Sequence, residues 1–160
     1  MTGSVIVTGG SRGIGAAAAR LLAQQRWAVT INYRHRADAA SALVDEIRRD
    51  GGTAIAVAGD VALEADVQHL FDAAEKAFGR ISGLVNNAGV LAPASRLADM
   101  GLDRWNATIA TNLTGVFLCA REAVRRMAKS RGGDGGAIVN VSSMAAVLGA
   151  ASEFTDYAAS

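Results

Sequence analysis

The sequence predicts a doubly wound α/β domain, a parallel sheet held between two layers of helices to give three layers in all. Short β-branched runs alternate along the chain with longer amphipathic stretches, the order of successive βαβ units whose sheet is buried on both faces. Of the 160 residues, 51% are hydrophobic, enough to fill a sizeable core in one soluble globular unit. No internal repeat suggests another architecture.

The first strand is expected over Ser4 to Thr8 and the first helix from about Gly13 to Gln25, where alanines and leucines suit close contact with a sheet. A second strand, Ala28 to Tyr33, leads into a helix from about Ala37 to Asp50, which Gly51-Gly52 can close in the left-handed conformation. The third strand is read near Thr53 to Ala58. Val67, Leu70, Phe71 and Ala74 carry helical spacing through Leu63 to Phe78, and Gly79 ends that helix. The fourth strand is Gly83 to Asn86, followed by a loop with the only proline, Pro93. One long helix is then predicted from about Asp103 to Lys129, with Trp105, Ile109, Leu113, Val116 and Phe117 on its apolar side. The four glycines between Arg131 and Gly136 read as a flexible connection. The fifth strand is Ala137 to Ser142, and Phe154 to Ser160 begins another helix after a loop.

Composition excludes several classes of function. Lys plus Arg number 16 against 15 for Asp plus Glu, with no long run of one sign, so a nucleic-acid partner is not expected. Val5 to Val7 is too early and too short for a secretory core, and no unbroken apolar stretch approaches the length of a membrane span, so the expected location is cytoplasmic. Cys119 is the only cysteine, which excludes an intrachain disulfide and a multi-thiolate zinc site; it reads as a packing residue. His69 has no partner at ligand spacing, and no metal is expected.

The segment Thr8-Gly9-Gly10-Ser11-Arg12-Gly13-Ile14-Gly15 joins a strand to a helix, where a diphosphate can rest on free backbone amides at the positive helix end. Its glycines follow a GxxxGxG spacing. They would allow a tight turn, close backbone approach to a ligand and close helix-to-strand contact, although such a turn can also be purely structural. Gly9, Ser11, Arg12, Gly13, Ile14 and Gly15 are therefore the first candidate contacts to a dinucleotide.

The end of the second strand, about 20 residues past such a turn, is where an acid would accept from a ribose 2′-hydroxyl. Here the chain reads Asn32-Tyr33-Arg34-His35-Arg36, with no acid. Arg34 together with Arg12 can clamp a 2′-phosphate instead, which favours NADP(H) over NAD(H); the other reading of Arg34 and Arg36 is of solvated residues opening a helix. Asp60-Val61, after the third strand, stands at the carboxyl edge of the sheet, where a carboxylate can accept from an adenine amino group or cap the following helix.

Taken with Asn86-Asn87-Ala88-Gly89, Asn112, Ser143 and Tyr157, these motifs closely resemble the short-chain dehydrogenase/reductase family, in family order and over the whole chain. The resemblance implies a Rossmann fold over residues 1–160 that binds NAD(P), and an oxidoreductase that moves hydride between the nicotinamide and a carbonyl or secondary alcohol of a small molecule. It implies that Asn87, Ala88 and Gly89 line the nicotinamide ribose, with Asn87 also tying strands together. It casts Asn112 as the residue that bends its helix and holds a relay water, and Ser143, rather than the competing Ser142, as the holder of the substrate oxygen. Tyr157 becomes the general acid for reduction and the base for oxidation.

A tyrosine of ordinary pKa, about 10, is a poor base near neutrality. Family members lower it with a lysine four residues on, and this sequence stops at Ser160, one residue short of that position. The expectation is thus a single domain incomplete at its C-terminus, with a catalytically inactive nucleotide-binding piece as the alternative and a partner-binding role as a weaker third. An edge strand and one face of the long helix should lie uncovered, and the family implies a homodimer or homotetramer for the full-length parent.

Overall fold

The computed structural model describes residues 3–150 and 153–160. Five parallel strands form one sheet in the order β3-β2-β1-β4-β5. They are β1 (Gly3–Val7), β2 (Trp27–Tyr33), β3 (Thr53–Ala58), β4 (Ile81–Asn86) and β5 (Ala137–Asn140). The helices between them are α1 (Gly13–Gln24), α2 (Ala37–Arg49), α3 (Glu64–Phe78), α4 (Leu102–Ile109) and α5 (Gly115–Met127), followed by the short α6 (Ala145–Leu148) and α7 (Thr155–Ala158).

The two layers of helices are separated by the alternation of strand side chains. Val5 and Val7 of β1 point into a core with Ala16 and Ala19 of α1 and Leu43 and Ile47 of α2. Ile6, between them, points the other way, into a core with Leu70 and Phe71 of α3 and Leu118 and Met127 of α5. Helices end where the sequence placed glycine: Gly51 (φ +79) donates to the Arg48 carbonyl at 3.0 Å, and Gly79 (φ +75) to that of Glu75 at 2.8 Å.

The predicted single helix over 103–129 is corrected by a π-helical turn, Ala110–Thr114, that separates α4 from α5. The wider turn shifts the phase of everything after it. Leu113 and Phe117 are consequently exposed, 50% and 57%, and the inward face of α5 is Gly115, Leu118, Cys119, Glu122 and Ala123. Gly115 permits this approach, since a Cβ there would lie 2.8 Å from Val61 Cγ2. The glycine segment before β5 is not an open link: Gly133 and Gly135 donate back to the carbonyls of Ala128 and Met127, at 3.1 and 2.8 Å. β5 ends at Asn140, two residues earlier than expected, and residues 145–148 are helical where a loop was read. Val139 of β5 and Val124 of α5 are exposed as well, on the edge strand and helix face expected to be uncovered.

Candidate active site

The strand order reverses between β1 and β4, and in open parallel sheets the crevice outside the strand ends lies at such a point. Polar side chains tie the strands' carboxyl ends together at the floor of the crevice. Thr8 is buried, and its Oγ1 accepts from the amides of Asn87 and Ala88 at 3.0 and 3.1 Å. Asn87 returns the contact, its Nδ2 donating to the carbonyls of Thr8 and Gly9 at 2.9 and 3.1 Å. On the other side, Asn32 Oδ1 accepts from the Gly9 amide at 3.3 Å while its Nδ2 donates to the Gly59 carbonyl at 2.9 Å. Thr8 opens the expected glycine segment, whereas Asn32 has a site-building role that the sequence did not suggest; a lone Asn inside the apolar β2 run was the available signal.

Above this lattice lies a cleft of about 530 Å³. Its walls include Gly9, Ser11, Arg12, Gly13 and Ile14 from the first turn, Arg34 from the end of β2, Asp60 and Val61 after β3, and Asn87, Ala88 and Gly89 after β4. Gly15 alone among the expected cofactor contacts lies beneath that wall. It is buried, and a Cβ on it would stand 2.5 Å from Asn87 Nδ2 and 2.7 Å from the Gly9 carbonyl oxygen. Gly9 is left-handed (φ +60) and its missing Cβ would sit 2.8 Å from Ala88 Cα, so the turn and the β4 loop meet backbone to backbone. The first turn of α1 has no side-chain cap and no acidic residue, which leaves its amides and dipole facing the cleft.

Arg34 and Asp60 meet in an ion pair, Nε to Oδ2, at 3.1 Å. Asp60 also turns the chain, its Oδ1 accepting from the Ala62 amide at 3.0 Å; α3 begins only after Leu63, so Asp60 is not that helix's N-cap. Arg36 pairs with Asp38 at 3.0 Å, at the start of α2. Among the described residues, Arg12 is exposed and shows no ion-pair partner.

A second cleft, of about 250 Å³, shares Ile14 and Asn87 to Val90 with the first and continues past them to Asn112, Ser142, Ser143 and Tyr157. Asn112 sits in the π-helical turn and clasps the loop after β4: its Oδ1 accepts from the Val90 amide at 2.8 Å and its Nδ2 donates to the Val90 carbonyl at 3.0 Å. The same Nδ2 reaches Ser160 Oγ at 3.0 Å. Ser143 Oγ accepts from the Ala145 amide at 3.2 Å, opening α6. Asp156, just before Tyr157, is buried (1% exposed) and held by Arg104 and Thr108, which the sequence reading overlooked because an Arg and a Thr on a helix carry no signal of burial. Arg104 pulls the Asp156 carboxyl down to a pKa of about 2, against the effect of burial. Burial, helped by Glu122, pushes the Cys119 thiol up to about 12, consistent with packing. Among the described residues no group of His, Cys, Asp and Glu could hold a metal ion, and no helix is long and apolar enough to cross a membrane.

The glycine turn at the α1 N-terminus thus lies at the strand-reversal crevice, with Ser143 and Tyr157 in the cleft that continues from it. The family model for short chain dehydrogenase matches residues 4–160, and the chain belongs to that family, whose members are oxidoreductases using a nicotinamide cofactor. It is 46% identical to an uncharacterized oxidoreductase, YgfF, of Escherichia coli over 97% of this chain and 63% of that protein. It is 43% identical to a 3-oxoacyl-(acyl-carrier-protein) reductase of Synechocystis over 90% of this chain and 57% of the relative. It is also 45% identical to an L-rhamnose 1-dehydrogenase (NAD(P)(+)) of Azotobacter vinelandii, over 92% and 58% respectively. The chain thus spans about three-fifths of the length of these relatives.

Proposed function

We propose that this chain supplies the cofactor site and most of the catalytic group of an NADP(H)-dependent oxidoreductase that interconverts a small-molecule carbonyl and secondary alcohol. One observation carries the reading: the two clefts meet along Ile14 and Asn87 to Val90, so the glycine turn and Tyr157 face a single trough. The first-turn amides and Gly9, Ser11 and Gly13 suit a diphosphate, Asp60 and Val61 an adenine, and Asn87, Ala88 and Gly89 a ribose beside the reacting end. When bound, the cofactor supplies or accepts the hydride.

Preference for NADP(H) rests on Arg12 and Arg34. Arg34 is 54% exposed, and its pairing with Asp60 is of the weak surface kind, so a phosphate dianion can compete for its fork. We expect Arg34→Asp to reverse the NADPH-to-NADH affinity ratio; an unchanged ratio leaves NAD(H) as the cofactor. Tyr157 donates its phenolic proton to the carbonyl oxygen in reduction and takes it back in oxidation, and Ser143 orients that oxygen. Tyr157→Phe should lower kcat by about 10²–10⁴-fold with little change in NADPH affinity, and retained turnover contradicts the role.

A second reading is nucleotide binding without turnover. A carbonyl panel with NADPH separates the two. The reading includes a cytoplasmic setting, and the exposed Leu113, Phe117 and Val124 support a homodimer or homotetramer of the full-length protein.

A further inference from the structure

We propose that Arg104 and Thr108 act through the buried carboxylate of Asp156 as positioning residues for Tyr157, fixing where its phenol stands relative to Asn112 and Ser143. The proposal rests on the catalytic role given to Tyr157 above. Arg104 grips Asp156 with both arms of its fork, Nε to Oδ2 at 2.9 Å and Nη2 to Oδ1 at 3.0 Å. Thr108 Oγ1, one turn further along α4, donates to the same Oδ2 at 3.0 Å. The third guanidinium nitrogen of Arg104 donates to the Pro93 carbonyl, in the loop that Asn112 clasps at Val90.

Register makes this a clamp rather than an isolated pair. Arg104 and Thr108 lie one turn apart and share a face of α4, which continues into the π-helical turn that carries Asn112. The first two hold Asp156 while Asn112 holds Ser160, itself four residues after Asp156. Tyr157 lies between these pinned points, on a helix of only four residues that has little stability of its own. A bidentate Arg-carboxylate pair with Arg104 at 18% and Asp156 at 1% exposure is directional and poorly replaced by water. Nothing in this group lines the cofactor cleft, which separates its effect from nucleotide affinity.

The test uses the intact protein and measures kcat, KM and the NADPH dissociation constant for Arg104→Met and Asp156→Asn, each also made in a Tyr157→Phe background. A misplaced acid should cost kcat about 10²-fold, with NADPH affinity changed less than about twofold. In the Tyr157→Phe background the same changes should cost nothing further, because the group through which they act is gone. Thr108→Val, which removes one hydrogen bond, should fold even where the ion-pair variants do not, and should show the same pattern at smaller size. Unchanged kcat, a parallel loss of NADPH affinity, or an equal loss in the Tyr157→Phe background would overturn the proposal. Wild-type turnover by Tyr157→Phe alone would instead overturn the catalytic assignment beneath it.

Discussion

Gly15 lies beneath the cleft wall rather than on it. Its missing Cβ leaves room for Asn87 Nδ2, which ties the first turn to the β4 loop through Thr8 and Gly9. Gly15→Ala must push those groups apart, so we expect a loss of about 1–3 kcal/mol in stability by denaturant titration, together with weaker NADPH binding. Wild-type values for both would show that the turn can yield. The sequence marked this residue because glycine spacing is visible in a chain of letters. It did not reveal whether each glycine faces the ligand or the protein, since that depends on which neighbouring strand the turn meets. Arg34 and Asp60 pose the same difficulty: each was assigned a separate task, and only the sheet order, which sets β3 beside β2, brings them to 3.1 Å.

Among the elements, the strands and first three helices were legible to within two residues at either end, because apolar period, β-branching and glycine stops are local signals. The 103–129 region was not. A π-helical turn adds backbone between two stretches of ordinary helix, and a periodicity drawn through it assigns Leu113 and Phe117 to the wrong side. Asn112 was the visible cue, a poor helix former at the point where the helix widens. α7 depends on α4 through Asp156, whose folded pKa of about 2 lies below the ordinary value near 4. A depressed carboxylate stabilises fully above its unfolded pKa and loses that contribution as pH falls toward its folded one. The stability difference between wild type and Asp156→Asn should therefore be constant from neutrality to about pH 5 and shrink between about 4 and 2. A difference that is flat across this range would mean that the carboxylate carries no such linkage.

For the whole molecule, the opposite directions of Val5 and Ile6 on β1 divide the core in two, and Phe71 anchors the half formed with α3 and α5. Arg126 covers that half, stacked 5.2 Å from the Phe71 ring and paired with Asp72 at 2.6 Å and Glu75 at 3.0 Å. Phe71→Ala should cost about 3–5 kcal/mol by denaturant unfolding, and a loss below 1 kcal/mol would mean that the core collapses into the space. Both helix layers hold the strand ends fixed around the β1–β4 reversal, and the whole functional reading depends on a diphosphate being held there by the amides at the start of α1. The most direct test is a fluorescence titration of the folded protein with NADPH, repeated with Gly13→Asp, which sets a carboxylate at an open left-handed position on the cleft wall. Saturable one-site binding, weakened by more than about tenfold in the variant, is the predicted result. Absence of saturable binding to either NADPH or NADH by correctly folded wild-type protein would contradict it.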